Sequence, residues 1–176
     1  SKFQNYDITQ VPQVPTKDEN IIKYMIEYLQ NPLHRRFAFN QEAGFHETLE
    51  IDGYRPIRAK FDTGNGTKAS MLVVDKAEVS GKTVKWERKG KKFTSKLQGI
   101  SKPTHIGKIT ERPIVHINVK FNNMIYADVP IGLQLEDAAS TFLINRDLLT
   151  RFKISVNPNR KFVLSDWSEK GDETDE

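Results

Sequence analysis

The sequence has 176 residues, 37% of them hydrophobic, which suits one domain of ordinary size or a small domain with an extension. None is cysteine, so disulfides, thiolate nucleophiles, thiolate-bound zinc and iron–sulfur sites are excluded. The net charge of +4 hides an asymmetry: residues 166–176 hold six acids and one base, and the rest of the chain carries 26 bases against 17 acids.

Residues 1–15 are polar, contain Pro12 and Pro15, and read as an extended arm without the apolar stretch of a signal peptide. Thr16 and Glu19 have capping-box spacing. Ile21, Ile22, Met25, Ile26 and Leu29 then form one stripe at helical spacing, and Asn31-Pro32 ends it, which predicts a helix over 17–30. Such a helix packs on the side of a barrel, or serves as a docking element or a removable pro-segment. No apolar run approaches the length of a transmembrane helix, so no membrane partner is expected and the cytoplasm is the expected location.

From residue 45 onward the pattern is many short strands with turn punctuation, which predicts a mainly β chain built as a small closed barrel. Turns are expected at Asp52-Gly53, Ser80-Gly81, Lys89-Gly90 and Asn122-Asn123. A hairpin over 83–97 carries many lysines, with Trp86 and Phe93 between them. Aromatics among bases suit stacking on a single nucleic-acid strand, but a solvated sheet edge with one apolar face has the same pattern. No recognisable binding module accompanies the charge, so nucleic acid is not an expected partner. Residues 99–107 contain Pro103 and read as irregular, and 135–140 form a polar bridge to the apolar run 142–144.

The chain is organised around residues 55–67. Ile57, Ala59 and Phe61 alternate with Arg58 and Lys60, the pattern of a half-buried strand. The strand runs into Asp62-Thr63-Gly64 and then Asn65-Gly66-Thr67. The glycine permits a sharp turn that exposes backbone N–H groups, and the Thr63 hydroxyl is placed to brace the loop. A polar turn after a strand accounts for the triplet equally well. Downstream, Phe142-Leu143-Ile144-Asn145-Arg146-Asp147-Leu148-Leu149 joins an apolar strand to a helical turn.

Together these segments resemble the retropepsin-like aspartic protease superfamily. Asp62-Thr63-Gly64 is similar to its catalytic triplet. The run 142–149 is similar to the hydrophobic-Gly-Arg segment packed beneath that loop. Residues 107–115, 151–158 and 161–164 resemble the stretch after the flap and the last two strands of a bacterial branch labelled ATP-dependent zinc protease. The resemblance covers 53–165 and implies a retropepsin-like barrel over 47–165, an arm and helix over 1–46, and an acidic tail over 166–176. It implies peptide-bond hydrolysis by two aspartates sharing one proton. Only one triplet is present, so a second copy of the chain must supply the other Asp62. Thr63 and Gly64 support the pair, His105, Ile106 and Gly107 form the flap over a peptide substrate, and Ile144, Asn145 and Arg146 support the loop.

Two departures stand out. The family's glycine is Asn145 here, a residue that tolerates a left-handed backbone, and Asn65-Gly66-Thr67 lengthens the catalytic loop. Either change permits an idle protease fold that serves as a structural part of a larger assembly, such as a phage virion formed in the cytoplasm. The arm and the acidic tail then contact other subunits. The four histidines lack metal-ligand spacing and no phosphate loop is present, so neither zinc, ATP nor any other cofactor is expected.

Overall fold

The computed structural model describes residues 18–30, 41–102, 104–105, 108–109 and 111–166. The chain divides into two compact units, 1–41 and 42–176. In the first, helix α1 spans Asp18–Gln30. Ile22, Met25 and Ile26 on its apolar stripe are exposed. Of the expected capping pair, Thr16 lies outside the described residues and Glu19 falls in the first turn of the helix.

The second unit is mainly β, with a closed barrel of six strands. Its strands are β1 (Gln41–Ile51), β2 (Ile57–Phe61), β3 (Ser70–Val73), β9 (Arg112–Phe121), β10 (Met124–Gln134) and β11 (Phe142–Ile144). The order round the barrel is β1-β2-β11-β3-β10-β9, and β9 returns to β1 through Glu50↔Lys120 and Ile51↔Val119. β2 meets β11 in parallel, β11 meets β3 antiparallel, and β3 meets β10 in parallel. This crossed arrangement brings the end of β2, the end of β11 and the start of β3 to one corner. The interior is filled by Leu49, Ile51, Ile57, Ala59, Leu72, Ile117, Ile131, Leu133, Phe142 and Ile144. Full burial of each large aliphatic contributes about 1.5–3 kcal/mol.

The sheet extends beyond the barrel at both ends. On one side β6 (Lys91–Ser101) pairs with β9, β5 (Thr83–Arg88) with β6, and β4 (Lys76–Ser80) with β5. Trp86 and Phe93 face each other across β5 and β6, stacked at 4.0 Å, and both are buried. Trp86 Nε1 donates to Ser95 Oγ at 2.9 Å, and Tyr54 meets Phe93 edge-on at 5.6 Å. The two rings therefore belong to an internal stack, and the hairpin is a solvated edge with one apolar face. The turns Asp52-Gly53, Lys89-Gly90 and Asn122-Asn123 all have positive φ at both residues, which matches the twist of the strands they join.

On the other side β12 (Ile154–Lys161) pairs with β1. It is one strand where the sequence suggested two: residues 151–152 close a helix, and beyond Lys161 the chain leaves the sheet. β1 begins at Gln41, ahead of the boundary at 47 expected from the sequence, because Gly44 lets the strands close. A Cβ there would stand 2.7 Å from the Arg160 carbonyl oxygen. The helix α2 (Arg146–Phe152) packs through Phe152 onto Phe61, Phe121 and Tyr126 at 4.8–5.9 Å between ring centroids. Arg151 donates to the Ala127 carbonyl at 3.1 Å, where β10 is irregular.

Residues 99–101, read from sequence as irregular, continue β6. Beyond them β7 (Thr104–His105) pairs with β8 (Lys108–Ile109), so β6 and β9 form one long hairpin with a paired tip. The glycine at 99 is accommodated at a register shift between Leu97 and Gly99.

Candidate active site

β2 delivers Asp62 to the barrel's corner. Phe61 anchors the strand in the core, and the next amide, Asp62 N–H, donates to the Ile144 carbonyl at 3.0 Å. That bond continues the parallel pairing of Ile144 with Phe61. The chain then turns: Asn65 N–H donates to the Asp62 carbonyl at 3.1 Å, and Gly64 N–H donates to Asp62 Oδ1 at 3.1 Å. Asp62 is half-buried, while Thr63 and Gly64 are exposed. The carboxylate thus sits at a solvent-facing rim, oriented by a backbone N–H.

The bracing expected of Thr63 is carried by Asn65 and Thr67. Asn65 Oδ1 accepts from Thr67 N–H at 3.0 Å. Thr67 Oγ1 lies 2.6 Å from Asn65 Oδ1 and 3.0 Å from the Ala69 carbonyl, and its single proton serves one of them. Thr63 has no such role because its position in the turn faces outward. The residues that lengthen the loop therefore carry its internal bonds.

Beneath the loop lies Asn145. Its backbone is extended (φ −79°, ψ 169°), not left-handed, because it is the N-cap of α2, a position that favours extended backbone. Its Oδ1 accepts from Leu148 N–H at 3.0 Å and from Ser70 Oγ at 3.1 Å, and its Nδ2 donates to the Thr67 carbonyl at 2.9 Å. Its own N–H donates to Ser70 Oγ at 3.0 Å. One amide side chain ties α2, β3 and the loop together. Arg146 N–H adds a bond to the Asn65 carbonyl at 2.9 Å, and its exposed guanidinium lies over Gly66. Ile144, Asn145 and Arg146 all therefore touch the Asp62 loop. Thr67 stands out in the sequence only as part of the segment that lengthens the loop, and no local pattern marks Ser70.

Next to the loop is a cleft of about 800 Å³. Asn65, Thr67 and Met71 line one wall, and Gln98, Ile100 and Arg112 of the β6–β9 hairpin line the other. Of the loop that follows Asp62, Asn65 and Thr67 line it, and Asp62, Thr63 and Gly64 do not. His105 is placed by its backbone in the hairpin tip, and Ile106 and Gly107 fall outside the described residues.

At the far side of β1 a second buried polar side chain escaped the sequence reading. Glu47 is fully buried, and its carboxylate accepts from Gly44 N–H (2.6 Å), Val163 N–H (3.0 Å), Leu164 N–H (3.1 Å) and Ser165 Oγ (2.6 Å). Ser165 Oγ in turn accepts from Thr48 N–H, and Thr48 Oγ1 donates to the Asp166 carbonyl at 3.2 Å. Beside it, His46 Nδ1 accepts from Arg58 Nε at 2.8 Å. Burial, then the charges of Arg58, Lys161 and Lys60, lower the His46 pKa to about 4. Among the described residues no three of His, Asp and Glu gather as a metal-holding group, and no helix is long and apolar enough to cross a membrane.

No family model matches the chain, and no curated protein matches it. Among solved structures it is similar to a Legionella pneumophila protein of unknown function, assigned to DUF785. The two share 20% identity over 72% of this chain and 99% of that one, with a TM-score of 0.59. At that identity the likeness concerns the fold.

Proposed function

We propose that this chain is a retropepsin-like aspartic endopeptidase that works as a homodimer. The observation that carries the reading is Asp62 itself. It stands half-buried at the end of a core strand, its Oδ1 receives the Gly64 N–H, and the loop that follows it reaches, through Asn65 and Thr67, a cleft large enough for several peptide residues. A single carboxylate cannot both remove a proton from water and polarise a carbonyl, so the reaction needs Asp62 from two copies sharing one proton. One carboxylate takes a proton from water as the oxygen attacks the peptide carbonyl carbon. The other, protonated, donates to the carbonyl oxygen. A proton then passes to the amide nitrogen, and the C–N bond breaks. The paired tip formed by Thr104–His105 and Lys108–Ile109 would cover the peptide and exclude water.

Asp62→Asn tests this. It preserves shape but cannot share the proton, so cleavage of an unfolded protein should fall about 10²–10⁴-fold while the melting temperature holds. Equal cleavage by Asp62→Asn would refute the mechanism. A second reading, a protease-fold part of a larger assembly, draws on the exposed Ile22, Met25 and Ile26 of α1, an apolar face suited to another subunit. A monomer in sedimentation, with no cleavage by the parent chain, would favour it.

A further inference from the structure

Two basic surfaces of the barrel unit differ in the acids that stand among their bases. On the β4–β6 hairpin, Lys76 and Lys92 both stand opposite Glu87, and Lys85 stands opposite Glu78. At the cleft, Lys68, Lys102 and Arg112 share a lining that contains no acid. Lys102 meets Glu111 at 3.5 Å, but both are well exposed, and such pairs neutralise weakly. Arg112 Nε is buried and has no acceptor among the described residues. A buried guanidinium N–H without an acceptor is costly, and a carboxylate is the partner whose geometry fits it.

The chain supplies carboxylates nearby. Residues 166–176 contain six acids and one base. Their root is fixed, because Glu47 binds 163–165 and Thr48 binds the Asp166 carbonyl. Thr48 pairs with Arg58, four residues before Asp62, or about 13 Å along the strand. The ten residues after Asp166 reach at most about 35 Å when extended. We infer that the acidic tail of the same chain lies in the cleft as a tethered plug that competes with incoming peptide. The inference rests on reading this cleft as the peptide site. Tethering gives the tail a high effective concentration, and the attraction, being between charges at a surface, weakens with salt.

Zero-length carbodiimide coupling of the full chain tests it, with linked peptides identified by mass spectrometry in an equal mixture of ¹⁵N-labelled and unlabelled protein. The expected result is links within one chain from Lys68 or Lys102 to Asp172, Glu173, Asp175 or Glu176. Yield should fall roughly tenfold in about 1 M salt, where the Debye length is about 3 Å. It should fall at least ~3-fold in Arg112→Gln, which removes one facing charge and no coupling site. Links only to Lys76, Lys85 or Lys92, links only between labelled and unlabelled chains, or no tail links at all would overturn it. Repeating the coupling on Asp62→Asn separates this from the catalytic proposal. Links in a chain that never cleaves leave the plug standing without the enzyme, and cleavage without links does the reverse.

Discussion

Two buried polar side chains hold loops to this barrel, and they do so by different chemistry. Asn145 is neutral and both donates and accepts, spreading its bonds over α2, β3 and the Asp62 loop. Glu47 only receives, and all four of its partners lie within 44 and 163–165. An amide that exchanges water for protein partners loses little if one bond is poor. A buried carboxylate depends on every donor being in place. The Asp62 corner therefore tolerates adjustment, which the proposed peptide site would require. The Glu47 corner has a single point of failure, as suits a joint that fixes where a tail departs.

Glu47→Leu is the severest way to break the contrast. It removes the acceptor for three backbone N–H groups and the Ser165 hydroxyl, so denaturant titration should show a loss of about 3–5 kcal/mol. Hydrogen exchange at Val163 and Leu164 should accelerate, with the Asp62 loop unchanged. A loss below about 1 kcal/mol would mean that 162–166 is held by something else.

Asn145→Gly comes next. As a left-handed residue, the position would accept glycine with a change of no more than about 1 kcal/mol. As an N-cap with further bonds to Thr67 and Ser70, it should lose about 2–3 kcal/mol, because a glycine cap recovers only the backbone part. Urea midpoints for the glycine variant and for Asn145→Asp sharpen this. The carboxylate keeps the bonds from Leu148 N–H and Ser70 Oγ but sets its other oxygen against the Thr67 carbonyl, so it should recover at most the cap's share of the difference.

Alternation and turn residues carried most of the barrel. Ile57, Ala59 and Phe61 face inward as their spacing required, and paired positive-φ turns occur at Asp52-Gly53, Lys89-Gly90 and Asn122-Asn123. Gly99 misled, because in a strand interior glycine marks a register shift as readily as a loop. At the corner, proximity of Asp62 to 144–146 was legible by resemblance, but the backbone at Asn145 was not. A glycine in the family pattern suggests a left-handed turn, while the sequence Asn-Arg-Asp-Leu locally specifies a cap and first turn. Glu47 could have been found. It is in phase with Leu49 and Ile51, so a charge on the core face was already written in the strand, but three of its four partners lie over a hundred residues away and no local pattern names them.

The smallest effect concerns pH and belongs to the Glu47 side alone. His46 neighbours Glu47, its carbonyl accepts from Phe162 N–H at 2.9 Å, and its ring accepts from Arg58. Its pKa falls from 6.5 to about 4 on folding, through burial first and then through Arg58, Lys161 and Lys60. A base with a lowered folded pKa is protonated more readily in the unfolded chain. The contribution is therefore fully present above pH 6.5, shrinks as pH falls toward 4, and stays constant below that. The ring is only partly shielded from water and the lysine charges are screened, so the loss should be about 1 kcal/mol or less. His46→Gln keeps an acceptor for Arg58 but does not titrate. Urea unfolding at pH 7 and pH 4.5 should show the parent losing up to about 1 kcal/mol more than His46→Gln, since carboxylates that also titrate contribute equally to both and cancel. Hydrogen exchange should place that excess at Phe162 and its neighbours while the Asp62 loop shows none. An equal loss in the two proteins would remove His46 as a cause of acid sensitivity. An excess spread to the Asp62 loop would show that the two corners are coupled after all.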